Sequence, residues 1–599
     1  MSFTTEKEKP VSNKIVLAEI DMGRKQVNWL NYCAGIWYYR FNTLKKNQDH
    51  SFLYGNFLFG PFLSSGTGDS GINFTPFDVG SCIVDGEGYT EQASIADVVN
   101  PTNNKSWYYD RDETEFYIHV DGFDDPRNHI IVVGLTLALS NKAKHINGGY
   151  YEPRIKGMFV ISKSKDPLEF GIIRMDGGST DLDNKDGFFD DFTDSIVFGQ
   201  PTDIKYGIDD IDGTEMDYAD YKQVGKFYID DIDIGWPDCR ISLIDYRDLF
   251  SKKIPTNVFD QTTFSDLKNS NVGKSIPLPW GQIYGFMPIC TNEEGSTPFR
   301  FQLADVTDHA DGIVSIDKVV VETTDVTGNQ VDHLADGYFT LTSTYYTPGQ
   351  KVYVDFKGFD DGLGAMDDNS LDVIEDILNT YLSIPYNATY YDTTEWAAIK
   401  DSTKDIGFIL DKPTEIKKII ENIQRSNFGG FIVHDDGKYT FRQLDRTAAA
   451  DETVLLNEYF TPPRIRYIRS RYLSKVSIGY AKDHDNNDYR WYLKDDLEAD
   501  IVAEYKKSKW KEIETYLTNA TDAQWLAEKY MDLWGKVRGE ISTQTGIQNS
   551  EFEIDDVKNL TLDRRDRGWK GPLKTEIIGL KKDMLGTGKV TITGLVLED

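Results

Sequence analysis

Cysteine, histidine and long apolar runs are what this sequence has little of. Four cysteines, Cys33, Cys82, Cys239 and Cys290, are scattered through 599 residues, and no two stand in a CxxC spacing. That gives no support to a zinc or redox motif and leaves four separate reduced thiols as the expectation. The eight histidines contain no HExxH or comparable spacing, so each is expected to be a satisfied structural residue, and no metal or cofactor site is predicted from them. The start, MSFTTEKEKP, lacks a basic segment followed by an apolar one, so no secretory signal is expected. The longest apolar stretch, His129 to Leu139, is shorter than the ~20 residues that cross a bilayer and reads as a core strand or strand pair. A soluble protein made in a cytoplasm is the expectation.

Basic charge is also in deficit, with 65 Lys and Arg against 98 Asp and Glu, a net charge of −33. Gripping nucleic acid through its phosphates needs clustered cations, and so does docking on anionic lipid. A wall that lets DNA slide past would want the sign found here, because like charges keep the polymer off it.

What is present is β-forming sequence. Through the first 360 residues, short runs of Tyr, Phe, Trp, Val, Ile and Thr alternate with Gly, Asp, Asn and Pro turns. Trp107 to Asp110 and Glu115 to Val120 flank a polar turn as a hairpin. Phe227 to Ile234 and Lys351 to Lys357 alternate apolar and polar residues like half-buried strands. After the Gly/Asp hinge at 358–365, Leu371, Ile374, Leu378, Tyr381 and Leu382 predict a helix behind the cap candidates Asn369 and Ser370, halted before Pro385. A second helix is predicted over Thr394 to Lys400, and a third from Pro413 to Gly429-Gly430, with Ile416, Ile419, Ile420 and Ile423 on one face. The step Asp436-Gly437 then marks a tight hairpin. Strands return at Lys475 to Tyr480 and Tyr489 to Lys494. Thr521 to Gln524 reads as a capping box opening a helix through Trp525, Leu526, Met531, Leu533 and Trp534. A hairpin of Thr575 to Leu580 and Lys589 to Thr593, around Gly586 and Gly588, closes the chain.

The predicted fold class is mainly β with α+β portions. It is multidomain, with several β-barrel or sandwich domains and one helix-hairpin module. The expected division is a loose terminus over 1–13, β-rich domains over 14–150, 151–260 and 261–362, the helix-hairpin module over 366–450, and a β-rich domain with one helix over 451–599.

Several strings imitate catalytic or ligand motifs. Gly66 to Gly71 contains both GxGxxG and GDSG. A dinucleotide loop must open a helix, and Pro76 follows too closely for one. Ser70 has no second serine-protease signature beside it, so a glycine-rich loop is expected. Asp181-Leu-Asp-Asn-Lys-Asp-Gly187 resembles a calcium loop, but its glycine comes one position late and Phe192 stands where the bidentate acid belongs. A calcium site on Asp181, Asp183, Asp186 and Asp190 is the alternative to a solvated acidic turn. Facing carboxylates among 34 Tyr, 32 Phe and 11 Trp could serve a glycosidase, but so many acids make such pairs by chance. One cluster runs against the overall charge: Arg464, Arg466, Arg469 and Arg471 among Tyr and Ile, with Lys475 beyond. Contact with an acidic face of the same or a neighbouring subunit is the favoured account. A solvated strand face and single-stranded nucleic acid are the others.

The order of these features resembles the hub proteins at the tail tip or baseplate of long-tailed phages and gene transfer agents. The resemblance rests on the Trp107 to Asp110 hairpin leading to Asp125-Pro126, and on Ser275-Ile-Pro-Leu-Pro-Trp-Gly-Gln-Ile-Tyr-Gly285, in which Trp280-Gly281 or Tyr284-Gly285 is the counterpart. It rests further on the helix through Leu371 to Leu378, on Asp405 to Pro413, on the Gly429-Gly430 and Asp436-Gly437-Lys438 hairpin, and on the closing β module. It implies a structural virion protein without an active site or cofactor: a homotrimer at the tail tip that closes the distal end of the tail tube. The implied partners are the distal tail protein, the tape-measure protein, other tail-tip or fibre proteins, DNA in unspecific passage, and the host envelope. A receptor-binding or glycan-cleaving β-rich protein is the competing class.

Overall fold

The structure is a computed structural model. It describes Asn13–Val27, Asn31–Cys33, Ile36–Arg40, Phe77–Val84, Glu87–Gly88, Thr90–Glu91, Ser106–Asp110, Glu115–His119 and most of 131–597, apart from short stretches such as 166–173, 193–199, 210–216, 445–448 and 565–568. The chain is mainly β, built from several curled sheets with a few helices between them.

The largest sheet has eleven strands. Asn13–Val27 lies between Ile131–Ser140 and Pro201–Asp209, and Lys222–Ile234, Asp238–Ile244 and Gly178–Asp183 continue outward from there. The apolar stretch before Ser140 is indeed a strand, with Leu137 and Leu139 fully buried. Lys222–Ile234 buries Phe227 and Ile229. A register shift follows between Ile229 and Asp231, and Asp230, Asp231 and Asp233 beyond it are exposed. A bulge of this kind re-aims the residues that follow it. The hairpin of Ser106–Asp110 and Glu115–His119 pairs as expected.

A second sheet, of eight strands, joins segments from both halves of the chain. Its main path runs Arg174–Asp176, Ile161–Ser164, Trp569–Asp583, Lys589–Val596, Gly539–Gly546 and Tyr459–Tyr467. The closing hairpin is present, longer on both arms than expected. The two sheets share one core: Leu182, Phe227 and Ile241 belong to the same apolar cluster as Ile541, Ile577 and Ile592.

A second core joins Trp280, Phe356 and Val354 to the helical segment. There α1 (Ser370–Leu382) buries Leu371, Ile374 and Leu378, and α2 (Thr393–Lys400) buries Trp396. Asn369 caps α1 by accepting from Leu371 N at 2.9 Å. Its far end turns at Ser383, in the left-handed region, before Pro385. The third helix, α3, spans Ile416–Asn427 and buries all four predicted isoleucines. It starts later than expected because Thr414–Glu415 pair with Lys253–Ile254. It also ends earlier, at Phe428 in the left-handed region, since Gly429 and Gly430 already belong to the strand Gly429–Val433.

The third core lies under Lys475–Asp483, whose Val476 and Ile478 pack with α5 (Ala520–Trp534). Asn519, not Thr521, caps α5: its Oδ1 accepts from Asp522 N at 2.9 Å while its Nδ2 donates to Asp522 Oδ2 at 2.6 Å. An Asn-x-x-Asp box two residues upstream therefore takes the place of the Thr-x-x-Gln box. Sequence reading also missed α4 (Glu498–Tyr505) and the strand Trp510–Glu514, which runs parallel to Lys475–Asp483. The helix carries little apolar periodicity, and a parallel pairing leaves no hairpin signal.

Candidate functional site

The densest chemistry lies where the hairpin of Gly429–Val433 and Tyr439–Gln443 meets the eight-stranded sheet. His434 donates its N–H to the Lys438 carbonyl, Asp436 accepts from Lys438 N at 3.0 Å, and Gly437 (φ 83) completes the turn. That geometry aims Asp435 inward. Its Oδ1 receives Lys163 Nζ and its Oδ2 receives Lys582 Nζ, each at 2.5 Å. Both lysine side chains are nearly inaccessible, at 3% and 1%. Buried charges carry a desolvation cost of several kcal/mol per ion unless matched this closely.

The network continues in two directions. Glu553 accepts from Asp435 N at 2.9 Å and bonds His434 Nδ1. His434 Nε2 lies 3.3 Å from Glu395 Oε2. Arg442 bridges Glu395 at 2.8 Å and Asp556 at 3.1 Å. On the other side Lys165 contacts Asp555 and Glu576, all three nearly buried. Burial disfavours the His434 cation, but its bonds to Glu395 and Glu553 outweigh that and push its pKa up to about 10. The His434 bond, with Arg442 behind it, holds Glu395 down to about 2. Glu553 lies well below the ordinary carboxylate range because, against its burial, it faces His434 and Lys163. Burial lowers Lys165, while Lys163 is raised because Asp435 and Glu553 overcome the same penalty.

Asp392, Glu395 and His434 bring three potential ligand atoms close together. Yet Asp392 caps α2 through Thr394 N and Glu395 N, and Arg442 already supplies the positive charge beside Glu395. The arrangement is an ionic clamp in which these carboxylates are engaged.

The basic cluster named in the sequence does not act as one patch. Arg464 and Arg466 are exposed on Tyr459–Tyr467, an end strand of the eight-stranded sheet, opposite Ser542 and Glu540. Arg471 is half-buried beyond it. Lys475 is tied to Glu498 at 3.3 Å and lies over the Trp510 ring. Arg469 lies outside the described residues, as do Gly66 to Gly71, Asp125 and Pro126.

In the loop Asp181 to Asp190, cations of the chain itself occupy the acids. Arg240 binds Asp181 at 2.8 Å, Lys156 binds Asp183 at 2.6 Å, and Arg154 holds Asp186 bidentately at 2.8 and 2.7 Å. Asn184 donates to Asp190 at 3.0 Å. Cys239 and Cys290 are buried free thiols, and burial pushes both up to about 12.

A hollow of about 490 Å³ opens between Tyr284, Tyr353 and Tyr489, with Asp355, Asp483 and Asp485 on its wall. Asp355 accepts from Gly285 N at 2.7 Å and Asp483 from Asp485 N at 3.0 Å. Trp280-Gly281 and Tyr284-Gly285, the two alternative counterparts of one motif, both place glycine at positive φ.

Sequence reasoning missed the clamp. A signal existed: Lys163 stands in phase with buried Ile161, and Lys582 in phase with buried Leu580, so each lysine occupies an inward position of its strand.

No protein-family model and no curated protein matches the chain. Among solved structures, a tail protein from Neisseria meningitidis MC58 is similar at 9% identity and a TM-score of 0.37, covering 76% of this chain and 95% of that one. A chain of the virion of a native gene transfer agent follows at 12% identity and 0.36, covering 59% and 92%. The 43 kDa tail protein of prophage MuSo2 from Shewanella oneidensis follows at 14% and 0.31, covering 76% and 96%. Scores of this size mark partial likeness of chain path and carry no assignment.

Proposed function

We propose that this chain is a structural protein of a long-tailed phage particle, the homotrimeric hub that closes the distal end of the tail tube. In that role it joins the distal tail ring to the host-contact apparatus and gates the passage of the tape-measure protein and DNA. It is not an enzyme, and it needs no cofactor.

The observation that carries this reading is where the cations go. Lys163, Lys165 and Lys582 sit inside the clamp, and Arg154 and Arg538 are also buried. Asp435, Asp555 and Glu576 are buried with those lysines, so the charges inside largely cancel and the surplus of a chain at −33 stays on the exterior. Such a surface repels the DNA backbone and suits the wall of a passage. The clamp adds stiffness, since it binds a hairpin to a sheet whose strands come from both halves of the chain.

Cryo-EM of the purified chain, and of particles carrying it, tests the reading. A three-fold ring at the tail tip around an acidic passage is the expected result. A stable monomer at virion-like concentration overturns it. The aromatic and acidic hollow between Tyr284, Tyr353 and Tyr489 favours a second reading, a glycan-contacting tail protein, which glycan arrays and reducing-sugar release would detect.

A further inference from the structure

Among the described residues the eight-stranded sheet ends at Tyr459–Tyr467, which pairs on one side only, with Gly539–Gly546. Open edges are normally blunted, covered or paired. Here Pro462 and Pro463 remove two backbone donors from the middle of the strand, so adding a foreign strand there is disfavoured. The side chains offer a different contact. Pro463 is buried and Ile465 packs on the core, which turns Arg464 and Arg466 outward. Neither arginine makes an ion pair among the described residues, although Glu540 stands across the strand from Arg466. Phe460 and Tyr467 flank them at 59% and 50% exposure, and Lys589 lies over the Phe460 ring at 5.4 Å.

This edge belongs to a sheet whose charge opposes that of the protein. On its strands Lys and Arg outnumber Asp and Glu eleven to six. On the eleven-stranded sheet the acids lead, thirteen to nine. The strand with the most acids is Lys222–Ile234, with three Asp beside two Lys. Asp230 and Asp231 are exposed there without an ion pair among the described residues, and Asp233 stands opposite Arg240, whose Nε is bound to Asp181.

We propose that the Arg464/Arg466 edge is a subunit contact that seats on the Asp230–Asp231–Asp233 strip of a second copy of this chain. The two surfaces are different parts of one molecule, so the contact is head-to-tail, the kind that closes into a ring when the rotation allows. This rests on the hub reading and says which surfaces build its ring. Exposed Phe460 and Tyr467 provide the apolar component, and the opposite charges fix orientation and suppress wrong pairings.

The test uses the full chain in three forms: wild type, Arg464→Glu/Arg466→Glu and Asp230→Lys/Asp231→Lys. Sedimentation velocity at low and high salt reads assembly, and thermal unfolding checks that these exposed changes leave the fold intact. Each double variant alone should weaken assembly by ~100-fold or more, as reversed charges at a contact do. In an equimolar mixture the reversed edge of one variant faces the reversed strip of the other, so pairs of unlike chains should form, although a three-membered ring keeps one like-charged contact; a merely destabilised chain would form no such pairs. A charge-reversed chain that assembles like wild type overturns the contact while leaving the hub reading standing. A monomeric wild type overturns both. If the Arg464→Glu/Arg466→Glu variant instead loses single-stranded DNA binding with assembly unchanged, the edge is a nucleic-acid surface and the proposal fails.

Discussion

Lys582 reaches across 147 residues of sequence to hold the Oδ2 of Asp435 at 2.5 Å, where Lys582 is inaccessible and Asp435 only 6% exposed. The partner oxygen is held just as closely by Lys163. One carboxylate thus locks a hairpin turn to two neighbouring strands.

Removing that carboxylate should be costly. Asp435→Asn leaves Lys582 and Lys163 buried without their ion pair, Lys163 still facing Glu553, a situation that costs about 3–5 kcal/mol. Urea unfolding followed by tryptophan fluorescence should show the midpoint falling, and the double change Lys163→Met/Asp435→Leu should recover part of it. An Asp435→Asn chain as stable as wild type would mean that the lysines find water or other partners.

His434 makes the clamp sensitive to alkali. Its pKa in the folded chain is raised to about 10, above the ~6.5 of a free imidazole. Its stabilisation is therefore complete below about pH 6.5 and is lost as pH climbs through about 10. Glu395, held down to about 2, adds the acid limit: its contribution is complete above its ordinary range and fades as pH falls toward 2. Melting temperature against pH should decline on the alkaline side, and His434→Gln should lie lower at neutral pH and decline less.

Asp367 should behave oppositely to Glu395. Burial, with Asp376, Asp372, Asp368 and Asp361 nearby, raises it to about 8. A carboxyl with a raised pKa favours the folded state while protonated, so its effect turns unfavourable as pH rises from about 4 to 8. Asp367→Asn should stabilise the protein at pH 8 by on the order of 1 kcal/mol and change little at pH 4. Thermal scans at the two pH values decide it.

Gly281 has φ 66, and a Cβ there would stand 1.8 Å from the Ile406 carbonyl oxygen. Gly281→Ala should lower stability by roughly 3 kcal/mol or more, because backbone must move as well as adopt a disfavoured conformation. The neighbouring Trp280, fully buried and donating to Asp376 at 2.9 Å, offers a fluorescence signal for the disruption.

Local sequence settled local structure here. Apolar spacing placed α1 and the buried face of α3, alternation over Phe227 to Ile234 and Lys351 to Lys357 marked parts of the strands Lys222–Ile234 and Val352–Phe359, and the Asp436-Gly437 step placed the hairpin, because each rests on residues a few positions apart. The ends of α3 and α5 were misjudged where a remote strand or a nearer cap competed. Overall charge was equally legible from composition. Only the tertiary structure decided which segments share a core, and hence which charges meet. Lys163, Asp435 and Lys582 are ordinary residues until three distant strands and turns converge on one dry point, where low dielectric makes their pairing strong. The same folding separated Arg464 and Arg466 from Lys475, leaving two arginines on an open edge and tying the lysine to Glu498. Which neighbour a charge acquires depends on long-range contacts, and no local pattern encodes those.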